Sequence, residues 1–162
     1  AKHLKKNNYK ISGFSRTKKT KQHNFPTYKS SSGLNKFLKK SDIIINLLPN
    51  TNETKNFVDA KVLKIMKKNC LLINVGRGST INEKDLLMHI NRNKNFKAVL
   101  DVFKVEPLPK NHLFWVNKNI FITPHSSSIT NVDSAIEQIY LNYSVYRKQK
   151  KIRNRVNYLK QY

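Results

Sequence analysis

The sequence predicts an α/β fold organised on a doubly wound parallel sheet, and three observations predict it. Short runs rich in Ile, Leu and Val, at residues 42–48 (DIIINLL), 71–75 (LLINV) and 96–102 (FKAVLDV), are bounded by turn residues. Such runs are characteristic of strands buried on both faces of a parallel sheet. The segments between them carry apolar residues at helical spacing, so strand and helix alternate as right-handed crossovers require. The 162 residues, 38% of them apolar, suffice for one domain with a real core.

In chain order, residues 1–7 read as the end of a helix and residues 9–14 (YKISGF) as a strand with period-two alternation. Residues 30–33 are a small-residue loop and 34–39 a short helix, followed by the strand at 42–48, which Pro49 ends. One or two helical turns within 50–68 bring Phe57, Val62, Leu63 and Ile65 to one side and lead into the strand at 71–75. Asn82 can cap a helix through Leu86, Leu87 and Ile90, with Glu83 and Asp85 favourably placed in its first turn. The strand at 96–102 is followed by another at 120–123. From about Thr130 to Lys150 the spacing of Val132, Ala135, Ile136, Ile139, Tyr143 and Tyr146 is again helical.

Charge is the unusual bulk property: 32 Lys and Arg face 9 Asp and Glu, a formal net charge of +23. A nucleic-acid partner would account for it, and so would compositional drift, since Lys, Asn and Ile share A/T-rich codons. Scattered lysines, without a single basic stripe, favour drift, and no specific nucleic-acid partner is expected. Cys70 is the only cysteine and reads as a buried thiol, with no disulfide possible within the chain. No metal ligand set is assigned. With no apolar run of membrane-spanning length and no signal peptide, the expectation is a cytoplasmic protein without membrane contact.

The singular residues each follow a different predicted strand: Arg16, Pro49, Arg77, Asp101 with Glu106, and His125. In a parallel sheet they converge on one carboxyl-edge crevice, where ligands bind. Gly76-Arg77-Gly78 lets the backbone approach a ligand closely while Arg77 offers a planar fork of donors to a carboxylate or phosphate. A histidine beside a carboxylate can give a proton to a developing alkoxide. Taken singly, Arg77 could be a surface arginine, Glu106 a turn carboxylate and His125 a loop residue; their shared edge favours a site.

Asn74-Val75-Gly76-Arg77-Gly78, Leu100-Asp101-Val102-Phe103 with Glu106-Pro107-Leu108-Pro109, and Thr123-Pro124-His125 together resemble the D-isomer-specific 2-hydroxyacid dehydrogenase family. Leu47-Leu48-Pro49-Asn50-Thr51, Ser15-Arg16-Thr17 and Phe114-Trp115 resemble its glyoxylate/hydroxypyruvate reductase branch. The resemblance covers nearly the whole chain and implies a Rossmann-like NAD(P)-binding domain. It implies that Arg77 binds a substrate carboxylate, that His125 is the general acid and that Glu106 tunes it. Asp101 would contact the nicotinamide carboxamide, Leu48 and Pro49 would flank the adenine, and Val75 and Gly76 would line the cofactor side. The implied reaction is hydride transfer to glyoxylate or hydroxypyruvate, giving glycolate or D-glycerate. A small 2-oxo acid is the expected partner, and a homodimer is expected of the full-length protein.

After the second strand of such a fold an acidic residue receives the ribose of NAD, whereas arginine accommodates the 2′-phosphate of NADP. Here Arg16, Thr17 and Lys18 occupy that place, so NADPH is expected over NADH. The G-x-G-x-x-G fingerprint is absent from these residues, and with it the family's first strand and its helix amino-terminal phosphate site. The expectation is therefore a partial cofactor domain over residues 1–162, without the substrate-side domain and inactive alone. A non-catalytic remnant or a basic nucleic-acid-binding module are the competing readings.

Overall fold

The computed structural model describes residues 1–15, 25–128, 130–150, 152, 155–159 and 161. The positions of Arg16, Thr17 and Lys18 lie outside the described residues. The elements run α1 (Lys2–Lys6), β1 (Gly13–Phe14), β2 (Thr27–Tyr28), α2 (Ser30–Lys40), β3 (Ile43–Asn46), α3 (Ala60–Ile65), β4 (Leu71–Asn74), a 3-10 turn (Gly78–Thr80), α4 (Glu83–Arg92), β5 (Lys97–Leu100), β6 (Ile120–Ile122) and α5 (Val132–Gln149). Every strand pairing is parallel. Strands β3, β4, β5 and β6 follow one another across a four-stranded sheet, while β1 and β2 pair separately.

Alternation within the strands decides which face the core takes. Ile44, Leu72, Ala98, Leu100 and Ile120 point to one face and join Leu38 of α2, Leu63 of α3, and Leu86 and Ile90 of α4 in a single cluster. Burying an aliphatic side chain of this kind contributes about 1.5–3 kcal/mol. The opposite face is thinly covered: Ile43, Ile45 and Phe121 remain exposed. Cys70, just ahead of β4, is fully buried and free, and desolvation raises its thiol to about 11, so it behaves as a small core residue.

Several boundaries differ from the sequence reading for identifiable reasons. The expected loop at 30–33 is the first turn of α2, because Leu34, Phe37 and Leu38, spaced by three and one, pack against the core and pull the small residues into the helix. Of the strand expected at 9–14, only Gly13–Phe14 pairs, and its partner Thr27–Tyr28 gave no sequence signal of its own. Asn82 caps α4 through the Asp85 amide, as expected. Helix α5 is helical as its spacing predicts, yet Val132, Ile136, Ile139 and Tyr143 of its apolar stripe are exposed.

Candidate active site

Because β3 to β6 are parallel, the segments after their carboxyl ends share one edge of the sheet. The structure places Leu48 and Pro49 after β3, Arg77 after β4, Asp101 and Glu106 after β5, and His125 after β6. A cleft of about 430 Å³ opens between the first two of these loops, walled by residues 47–50 on one side and 75–77 on the other, with Gln161 at its margin. Leu47, Leu48, Pro49 and Val75 contribute apolar side chains to a lining that is polar over more of its surface, and Arg77 adds a cation to it.

His125 and Glu106 form a dyad, with His125 Nδ1 2.8 Å from Glu106 Oε2. Glu106 is held below the usual glutamate range, first by the Phe103 amide that donates to its Oε1 at 2.9 Å, then by His125 and the nearby Arg77 guanidinium. An ionised carboxylate only accepts, so Nδ1 carries the proton and donates it to Glu106. Nε2 is thereby left to face a ligand. The imidazole is 51% exposed and the carboxylate 38%, so the pair is open to the crevice.

His125 adopts a left-handed backbone conformation, φ 52°, which costs a non-glycine residue about 1–2 kcal/mol. Asp101 holds it there. Its carboxylate accepts the Thr123 hydroxyl and the amides of Ser126 (3.0 Å) and Ser127 (3.1 Å), gripping the chain on both sides of the histidine. Asp101 is only 2% exposed. Burial alone would raise its pKa, but these donors outweigh burial and bring it from 3.8 to about 2. The nicotinamide contact expected of Asp101 has to coexist with these bonds.

The two glycines that frame Arg77 make room for the chain itself. A Cβ on Gly78 would lie 1.9 Å from the carbonyl carbon of Phe103, and one on Gly76 would lie 2.8 Å from Leu48 O. Gly78 therefore seats the Arg77 turn directly on the residue whose amide holds Glu106. The close approach that the sequence suggested is toward protein backbone at both positions. Arg77 itself is exposed, with Nη1 donating to Gly76 O at 2.8 Å. Phe114 is buried and Trp115 exposed, its indole donating to Pro109 O at 2.9 Å.

Sequence reasoning missed one set of residues. Asn46 and Asn74, the last residues of β3 and β4 and partners in register, are buried with Thr80 beneath the two loops. Asn46 Nδ2 donates to Asn74 Oδ1 (3.0 Å) and Thr80 Oγ1 (2.6 Å). The available signal was an asparagine ending each of two otherwise apolar strands, IIIN and LLIN.

A family model described as D-isomer specific 2-hydroxyacid dehydrogenase, NAD binding domain, matches residues 1–127. Glyoxylate/hydroxypyruvate reductase A of Photorhabdus laumondii is 38% identical over 120 residues, 74% of this chain and 38% of that protein. The reductase A of Escherichia fergusonii is 37% identical over 117 residues, 72% of this chain and 37% of that protein. The chain thus spans well under half the length of these relatives. Among solved structures, a D-isomer specific 2-hydroxyacid dehydrogenase from Xanthobacter autotrophicus Py2 in complex with NADPH and MES superposes with a TM-score of 0.89 at 31% identity, over 97% of this chain and 64% of that one. An NADPH-dependent glyoxylate/hydroxypyruvate reductase from Sinorhizobium meliloti in complex with NADP and sulfate gives 0.90 at 27% identity, over all of this chain and 52% of that one. The parallel sheet, the cleft at its carboxyl edge and these likenesses agree: the chain belongs to the D-isomer specific 2-hydroxyacid dehydrogenases, within their NAD-binding domain.

Proposed function

We propose that this chain carries the cofactor side and the proton-donating dyad of an NADPH-dependent reductase of small 2-oxo acids, with glyoxylate and hydroxypyruvate as substrates. The observation that carries the reading is the His125–Glu106 pair at 2.8 Å, set on the same sheet edge as Arg77. The reductase names of the relatives and the NADPH and NADP complexes of the structural neighbours support it. Leu47, Leu48, Pro49 and Val75 offer apolar side chains on which a flat adenine can rest, so the residues present fit that part of a dinucleotide.

When bound, the nicotinamide supplies the hydride. Arg77 holds the substrate carboxylate through its planar fork and draws electron density from the adjacent carbonyl. His125 Nε2 gives its proton to the oxygen that becomes the hydroxyl, and the ionised Glu106 stabilises the imidazolium before that transfer. Asp101 keeps the 123–127 segment that carries His125 in place. Assembly as a homodimer belongs to the same proposal.

The test is NADPH oxidation with glyoxylate by the product of the complete gene, beside its His125→Gln variant. Glutamine keeps hydrogen bonding but cannot donate a proton as imidazolium does, and general acid catalysis is worth about 100- to 10,000-fold. A loss of that size with NADPH affinity unchanged is expected; equal rates would exclude His125 as the acid.

A further inference from the structure

We propose that Asn46, Asn74 and Thr80 act as one positioning unit that locks the loop after β3 and the Arg77 turn after β4 into a single geometry. Resting on the function proposed above, these are the cofactor-side and substrate-side loops, so one buried set of amides and one hydroxyl would align both ligands.

The three side chains come from β3, β4 and the end of the 3-10 turn and are 6%, 1% and 0% exposed. Polar groups so buried are costly unless every donor and acceptor is used. Here the bonds run outward to both loops. Asn46 Oδ1 accepts the Leu48 amide at 3.1 Å, in the loop that lines one side of the cleft. Asn74 Oδ1 accepts the Gly76 amide at 3.2 Å, while its Nδ2 donates to Arg77 O at 3.2 Å. The Thr80 hydroxyl donates to the same Arg77 carbonyl at 2.6 Å while it accepts from Asn46. Arg77 O thus receives two side-chain donors besides the Thr80 amide at 3.2 Å.

The direction of each amide is dictated by these partners. Asn46 must present oxygen to Leu48 N–H, so its nitrogen faces Asn74 and Thr80; Asn74 must present oxygen to Gly76 N–H, so its nitrogen faces Arg77 O. Only one arrangement satisfies all of them at once. A fully satisfied buried network specifies a unique geometry where apolar packing would tolerate several. Removing the Thr80 hydroxyl therefore loosens the set on both sides: Asn46 Nδ2 keeps Asn74 Oδ1 as its one side-chain acceptor, and Arg77 O keeps Asn74 Nδ2 as its one side-chain donor. The buried Asn46–Asn74 bond, 3.0 Å, and the exposed Ser79–Asn50 contact, 2.8 Å, remain as the side-chain ties between the two sides among the described residues.

Thr80→Val keeps the side-chain shape and deletes the hydroxyl, and Thr80→Ser restores it. Amide hydrogen exchange on this chain should show Leu48 and Gly76 both exchanging at least about ten-fold faster in Thr80→Val and returning in Thr80→Ser, with Leu72 and Ala98 of the sheet unchanged. Acceleration of only one loop amide, of neither, or of the sheet amides to the same extent would overturn the proposal. In the product of the complete gene, KM for NADPH and for glyoxylate should both rise at least about five-fold in Thr80→Val and recover in Thr80→Ser. A merely structural role would lower the amount of active enzyme and leave both KM values alone, which would also overturn it. A parent protein without turnover would refute the proposed reductase, and the exchange measurement would still decide the role of Thr80.

Discussion

Replacing Asp101 with Asn tests how the histidine-bearing turn is held. The carboxylate accepts three donors from residues 123–127 in a site that is almost wholly buried. Its pKa falls from 3.8 to about 2 on folding. At about 1.4 kcal/mol per tenfold in acidity, the ionised form contributes about 2.5 kcal/mol to stability. A folded pKa below the unfolded one means that this contribution is complete above pH 5 and is lost as the pH falls through the folded value. About half remains at pH 3 and little at pH 2. The amide keeps one acceptor oxygen and turns an NH2 toward a backbone donor, so it cannot replace the carboxylate. Thermal unfolding followed by circular dichroism at pH 7 should show Asp101→Asn melting about 5–10 °C below the parent chain, since about 1 kcal/mol moves a domain of this size by about 2–4 °C. The gap should narrow by about half at pH 3. Equal melting temperatures at pH 7, or a gap that does not change with pH, would refute the clamp.

Gly78→Ala places a methyl group within 1.9 Å of the Phe103 backbone, where no flexible group can yield. We expect it to destabilise the chain by more than about 2 kcal/mol or to move the Arg77 turn off Phe103, and denaturant unfolding that leaves stability within about 0.5 kcal/mol would contradict this packing. Replacing Arg16 and Lys18 with neutral residues should weaken NADPH binding by about ten-fold or more while sparing NADH, measured by nicotinamide fluorescence on the product of the complete gene. An equal loss for both cofactors would contradict a role in holding the 2′-phosphate.

What could be read without coordinates follows from how local each signal is. The β3, β4 and β5 strands announce themselves as Ile, Leu and Val runs even though one face is thinly covered and leaves Ile43 and Ile45 exposed, and the order of β4, β5 and β6 sets Arg77, Glu106 and His125 on one edge. The Asn82 cap is equally local, being set by four consecutive residues. Strand β2 is two residues long, with too few positions for alternation to register. The helical start of α2 was hidden because serines and a glycine disfavour helix locally, and contacts made later by Phe37 and Leu38 decide the matter. The Asn46–Asn74–Thr80 set was invisible for a different reason. Its members lie 28 and 34 residues from Asn46, and only the pairing register of two strands brings them together. Likewise, nothing in the sequence says that Gly78 faces Phe103 or that Asp101 grips the turn on both sides of His125.

The buried set beneath the two loops contains two carboxamides and a hydroxyl, none of which gains or loses a proton in water near neutrality. On a chain of formal charge +23, whose surface attractions change with every addition of salt, that neutrality separates two behaviours. Raising ionic strength should weaken the capture of an anionic ligand by Arg77 and the net positive charge of the chain. It should leave the spacing between the Leu48 and Gly76 amides untouched. A salt titration would therefore report on attraction alone, because the frame that sets where the ligands sit has no charge for the salt to screen.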